Sequence, residues 1–135
     1  MELSALVADI DGHQRKIVAA SVRPARAADG DRGIALRGGR TLPFVVTRAW
    51  NAPAGNYVEA WYLINPESHE VLFEGPSRRA SVWGLLSWTE FTDTVEEAIS
   101  LEPGTYEIVF ALSGLLGGRL PVEAVEVAEE ASASG

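Results

Sequence analysis

Apolar and polar positions alternate most cleanly between Gly104 and Val127. Tyr106, Ile108, Phe110 and Leu112 are separated by smaller or polar residues, the two-residue period of a half-buried strand. Ser113-Gly114 and Gly117-Gly118 then supply permissive backbone for a reversal. A second β-rich run follows, with Val122, Val125 and Val127. Its spacing slips by one between Val122 and Val125, which predicts a β-bulge near Ala124. The segment reads as the closing hairpin of an antiparallel sheet.

The same pattern carries back along the chain. Residues 2–9 read as a strand, with Leu3, Ala5 and Val7 on one face and Leu6 and Ala8 on the other. Asp11-Gly12 is a turn signal, and Lys16–Val22 returns as a second strand that Pro24 stops. Residues 23–40 hold four glycines and five arginines and show little pattern. They read as a long, mobile surface connection with a short edge strand at Ile34–Leu36. Thr41–Trp50 is strand-like through Leu42, Phe44, Val46 and Trp50, and Asn51–Asn56 breaks it. Tyr57–Ile64 and Glu70–Glu74 form a predicted hairpin around Asn65-Pro-Glu-Ser68, closed by Gly75-Pro76.

Ser77–Trp88 is harder to place. Ala80, Val82, Gly84 and Leu86 share one strand face, and Trp83, Leu85 and Ser87 the other. Phe91–Leu101 suits a helical turn or a strand, and the Pro103-Gly104 turn before Thr105-Tyr106 favours the strand. Residues 128–135 read as a solvated tail. About seven to nine short strands and no long amphipathic helix predict an all-β, antiparallel two-sheet β-sandwich over residues 1–127. It is Ig-like only in having two packed sheets, since no disulfide is available.

Composition narrows the chemistry. A chain of 135 residues, 47% hydrophobic and 22% charged, is one ordinary globular domain able to bury a core. With no cysteine there are no disulfides, thiolate nucleophiles or cysteine metal sites. Neither a basic leader nor a run of about 20 apolar residues is present, so the expectation is a cytoplasmic protein with no membrane partner. The net charge of −8 is unevenly spread. Residues 15–48 hold Arg15, Lys16, Arg23, Arg26, Arg32, Arg37, Arg40 and Arg48 against only Asp29 and Asp31. Beyond Arg48, three arginines (Arg78, Arg79, Arg119) face fourteen acids.

The order of elements from Ala8-Asp-Ile-Asp-Gly12 through Lys16–Val22 and Leu63-Ile-Asn-Pro-Glu67 to Pro103-Gly-Thr-Tyr106 resembles an uncharacterised bacterial family of single-domain Ig-like sandwich proteins. The chain departs from that family at Ala19-Ala20-Ser21, where a glycine-rich strand would stand. The resemblance implies a fold and nothing catalytic.

No catalytic constellation emerges. His13 and His69 lie at predicted turns and lack the spacing of a zinc site. Asp9-Ile-Asp-Gly12 begins like a calcium loop, but Ala20 stands where the loop's final glutamate belongs. Gly38-Gly39 and Gly117-Gly118 lack the lysine and the strand–loop–helix setting of a phosphate cradle. Adjacent acids such as Glu96-Glu97 would face opposite sides of a strand. No catalytic residue, metal or cofactor is therefore expected.

Two features remain. Trp83 and Trp88 sit in the poorly patterned stretch after Arg78-Arg79, where an aromatic can anchor a partner or stack on a sugar. The arginines Arg23, Arg26, Arg32, Arg37 and Arg40, with Arg78 and Arg79, suit an acidic protein surface better than nucleic acid, because the chain is acidic and its arginine stretch lacks interleaved aromatics. The expected function is a non-catalytic sandwich acting through protein–protein contact or self-association, as an accessory or structural subunit of a bacterial assembly. The alternative is a carbohydrate- or small-ligand-binding module.

Overall fold

The computed structural model describes residues 3, 4, 7, 14–29 and 32–127. Among them are ten strands: β1 (Lys16–Pro24), β2 (Ile34–Arg37), β3 (Arg40–Thr41), β4 (Phe44–Asn51), β5 (Gly55–Ile64), β6 (Val71–Glu74), β7 (Arg78–Val82), β8 (Thr89–Val95), β9 (Gly104–Leu112) and β10 (Leu115–Glu126). A single 3-10 turn spans Ala27–Asp29. Among the described residues no helix is long and apolar enough to cross a membrane.

The strands form two sheets. The smaller runs β1-β4-β8. The larger runs β3-β2-β10-β9-β5-β6, with β7 also paired to β5, and curls into a half-barrel. Inward-facing residues of both sheets make the main core: Phe44, Val46 and Trp50 from β4, Trp61 and Leu63 from β5, and Ile108, Phe110 and Leu112 from β9. Removing these side chains from water is the main force that holds the sheets face to face. A smaller apolar cluster sits on the other face of the large sheet, where Leu3 and Val7 cover Ile64, Val109, Ala111 and Leu116.

Two glycines let the buried tryptophans lie against backbone. A Cβ at Gly75 would stand 2.2 Å from the Trp61 ring, and one at Gly117 would stand 2.3 Å from that of Trp50. No side chain fits at either place.

The all-β, two-sheet prediction is observed, with several corrections. The expectation of a wholly antiparallel fold fails at one pair, because β10 and β2 run parallel, Ala124–Glu126 beside Ile34–Leu36. The count also exceeds nine strands, because β3 is only two residues long. β2 is an interior strand, not an edge, and Ile34, Ala35 and Leu36 are all buried. Burial on both faces erases alternation, which is why the stretch looked patternless.

The bulge lies elsewhere too. The β9–β10 register shifts between Leu116 and Gly118, not near Ala124. Alternation continues through Val122 and Ala124, both buried, and leaves Val125 56% exposed. The small Ala124 is the inward residue, and it pairs with Gly104 on one side and Ile34 on the other. Ser113-Gly114 alone makes the reversal, while Gly117 and Gly118 belong to β10. At the N-terminus, Ser4 and Val7 are helical, and the Val7 amide donates to the Leu3 carbonyl at 2.8 Å, so the described residues of the stretch expected as a strand, 3, 4 and 7, are not in one. The predicted Asp11-Gly12 turn and the 128–135 tail lie outside the described residues.

Candidate functional site

At one end of the two sheets the chain crosses twice between them. Ala52–Ala54 joins β4 of the small sheet to β5 of the large one, and Trp83–Trp88 joins β7 of the large sheet to β8 of the small one. The two crossings touch, since a Cβ on Gly84 would stand 3.7 Å from that of Ala54. Val82 pairs with Gly55 and Thr89 with Trp50, so the 83–88 arch rises directly from the ends of two strands.

The arch reads Trp-Gly-Leu-Leu-Ser-Trp, and it points its apolar side chains into solvent. Trp83 is 79% exposed, Leu85 50%, Leu86 104% and Trp88 68%. Inward alternation ends at Val82, and beyond it neither sheet continues to be paired. Gly84 takes a φ of +119°, a conformation that side-chain-bearing residues rarely adopt. The Ser87 amide donates to the Gly84 carbonyl at 3.4 Å. From the end of β4, the Asn51 side-chain amide donates to the carbonyls of Leu85 (2.9 Å) and Ser87 (3.3 Å). Four large apolar groups in six residues, all facing water, are what a docking element presents and a monomer's surface normally avoids.

Beneath the two arches lies a set of four charges, three of them buried and the fourth, Arg78, with its side chain 36% exposed. Arg48 on β4 and Glu59 on β5 are wholly buried, and Asp93 on β8 is 7% exposed. Arg48 Nε donates to Glu59 Oε2 at 2.8 Å, and its terminal nitrogens reach Glu59 Oε1 and, at 2.8 Å, Asp93 Oδ2. Arg78 on β7 bonds Asp93 Oδ1, and its Nε lies 3.9 Å from Glu59 Oε1. Both buried indoles join the network. Trp50 donates to Glu59 and Trp61 to Asp93, each at 3.0 Å. The guanidinium carbons of Arg48 and Arg78 each lie over the Phe91 ring, 5.7 and 5.6 Å from its centroid.

Two cations and two anions balance, as buried charges must. Burial disfavours the Arg48 charge, but hydrogen bonds and charge attraction from Glu59 and Asp93 outweigh it and raise its pKa above the ordinary arginine value. Each strand leading into an arch is tied to the strand leaving it: β4 to β5 through Arg48–Glu59, and β7 to β8 through Arg78–Asp93.

The sequence reasoning selected Trp83 and Trp88 and missed this network. A signal was available. Arg48, Glu59 and Asp93 each share the strand parity of large apolar neighbours (Val46 and Trp50, Trp61 and Leu63, Phe91 and Val95), so each is a charge at an inward position.

The seven predicted partner-binding arginines do not converge. Arg23, Arg26 and Arg32 are exposed around the β1–β2 connection. Arg32 also borders a cleft of about 550 Å³ between β1 and β10, walled by Val22, Leu120, Pro121 and Val122. Arg37 and Arg40 flank the β2–β3 turn, Arg37 within 3.8 Å of Asp29 and Arg40 donating to the Ala98 carbonyl. In that turn the Gly38 and Gly39 amides hold the Glu126 carboxylate at 2.7 and 3.0 Å. Arg79 is exposed on β7, whereas Arg78 belongs to the charge network. His13 lies outside the described residues, and His69 Nδ1 lies 3.1 Å from Ser4 Oγ.

No family model and no curated protein matches this chain. Solved structures resemble it distantly. A β-glucosidase from Listeria innocua in complex with isofagomine superposes with a TM-score of 0.44 at 16% identity, over 82% of this chain and 16% of the enzyme. The alkylpurine DNA glycosylase AlkC of Pseudomonas fluorescens, bound to DNA containing an abasic site analog, superposes at 0.49 with 13% identity, over 89% of this chain and 33% of that one. The chain thus spans a minor part of each enzyme, and at these levels no residue role passes from either to this chain.

Proposed function

We propose that the protein is a non-catalytic β-sandwich module that binds another protein through the Trp83–Trp88 arch. The exposure of Trp83, Leu85, Leu86 and Trp88 on one short crossing carries this reading. Aromatic and aliphatic anchors of this kind contribute binding energy when a partner removes them from water. The arch is convex, so a concave apolar groove covers it far better than a second copy of itself, and a six-residue contact falls short of the roughly 800 Å² per partner of a stable interface. The partner therefore wraps the arch and touches the flanking strand ends.

Carbohydrate stacking on Trp83 or Trp88 is the second reading, favoured by the exposure of both rings. Sugar sites surround the aromatic with hydrogen-bonding side chains to match the hydroxyls. Here the neighbours are Leu85 and Leu86, which favours a protein groove. The exposed arginines Arg23, Arg26 and Arg32, in an otherwise acidic chain, would steer an acidic partner without forming the main contact.

Capture from native lysate tests the proposal. Wild-type protein is expected to retain a stoichiometric partner that Leu85→Ser/Leu86→Ser loses and Arg23→Glu/Arg26→Glu weakens at low salt, the difference shrinking as salt screens it. Retention by the leucine variant would remove the arch from the interface. A tryptophan fluorescence shift on titration with glycans, abolished by Trp83→Ala/Trp88→Ala, would support the sugar reading instead.

A further inference from the structure

Building on the binding role given to the arch, we propose that Asn51 is its positioning residue: a side-chain clamp that holds the loop in its outward shape before any partner arrives. β7 and β8 belong to different sheets and do not pair, so no strand ladder shapes residues 83–88. The polar contacts across the arch are the Ser87–Gly84 bond at 3.4 Å and the two donated by Asn51. Asn51 is the last residue of β4, with its backbone fixed opposite Lys16 of β1. Its amide carries two hydrogens, and each has a loop carbonyl to meet.

Those two bonds oppose what the arch would otherwise do. Four exposed apolar side chains on an unpaired loop gain by folding back onto the sheets, because burial removes them from water. With the Leu85 and Ser87 carbonyls held, the backbone cannot rotate Leu85, Leu86 and Trp88 inward. A preformed loop loses less conformational freedom on docking and so binds tighter than a floppy one with the same side chains.

The chemistry separates a donor role from simple space filling. Asn51→Asp keeps the shape but sets a carboxylate against two carbonyl oxygens, and Asn51→Ala removes the group. Hydrogen exchange of the Ser87 amide, which donates to Gly84, and NMR relaxation of the Trp83 and Trp88 indoles are measured on the full chain without partner. In both variants the Ser87 amide is expected to exchange about tenfold faster and both indoles to lose order, with the core amides of β5 and β9 unchanged. Wild-type exchange and indole order in Asn51→Asp would overturn the clamp, whatever the binding data show. Faster exchange together with undiminished partner capture supports the clamp and overturns its contribution to affinity; the binding role of the arch falls only if Leu85→Ser/Leu86→Ser also retains capture. If Leu85→Ser/Leu86→Ser loses capture while Asn51→Asp keeps both order and capture, binding stands and the clamp falls.

Discussion

Arg48 and Glu59 meet across the two sheets with both side chains wholly buried, guanidinium Nε to carboxylate Oε2 at 2.8 Å. Removing one partner strands the other charge in an apolar interior. Arg48→Met and Glu59→Leu are each expected to cost about 3–5 kcal/mol in urea unfolding. The double variant should recover at least half of that, because Arg78 and Asp93 still pair and keep the charges balanced, although Asp93 loses its Arg48 contact and the Trp50 indole its acceptor. Additive losses would show that the two residues are not coupled.

The raised pKa of Arg48 has a definite sign. A cation whose folded pKa exceeds its unfolded value contributes stability fully below the unfolded pKa and loses it only as pH rises through the folded one. For Arg48 that window lies above the ordinary arginine value, so its contribution should be constant from neutral pH to about 11. Arg48→Lys brings an ammonium of ordinary pKa about 10.4, which burial depresses. The unfolded variant then holds that proton more tightly than the folded one, so its urea midpoint should lie below wild type at neutral pH and rise as pH climbs toward about 10.4.

Gly75→Ala is expected to destabilise by about 1–3 kcal/mol or more, because its Cβ lands inside the Trp61 ring. Gly55→Ala is the control. Its Cβ meets the Tyr57 ring at an ordinary 3.6 Å, and the urea midpoint should barely move.

Tryptophan emission should divide into two classes. Trp50 and Trp61 are wholly buried, whereas Trp83 and Trp88 are mostly exposed. Trp83→Phe/Trp88→Phe should shift the emission to the blue and remove most quenching by acrylamide, with thermal stability nearly unchanged. Strong quenching that persists in the double variant would mean the buried pair is accessible.

How far the sequence reached depended on whether a strand has a wet face. The Tyr57–Ile64 hairpin with Val71–Glu74 and the β9–β10 hairpin were legible because alternation survives where one side is polar. Ile34–Leu36 was not, since burial on both faces leaves a short apolar run without a period. Val125 misled for another reason. Valine suggests the core more strongly than alanine does, yet parity assigns the inside to Ala124, flanked by Gly104 and Ile34. Ala124→Leu should therefore cost about 1–3 kcal/mol and Val125→Ala under about 0.5 kcal/mol, read from urea midpoints. At the site, Trp83 and Trp88 stood out because no pattern claimed them. The charges beneath them were hidden because a bulk tally of acids and bases ignores which side of a strand each one faces.

β10 lies between β9 and β2, and its parallel partners on β2 are about 90 residues earlier in the chain. During synthesis, residues 34–41 emerge early and wait for residues 115–126 before they gain their neighbour in the large sheet. Until then β2, with its apolar run, and the inner edge of β9 are both open to other chains. Contacts this distant in sequence also make folding slow, since a long loop must close before they form. A nascent or C-terminally clipped chain is thus the form of this protein most prone to aggregate, and a chaperone that shields apolar strands would act before β10 arrives rather than after.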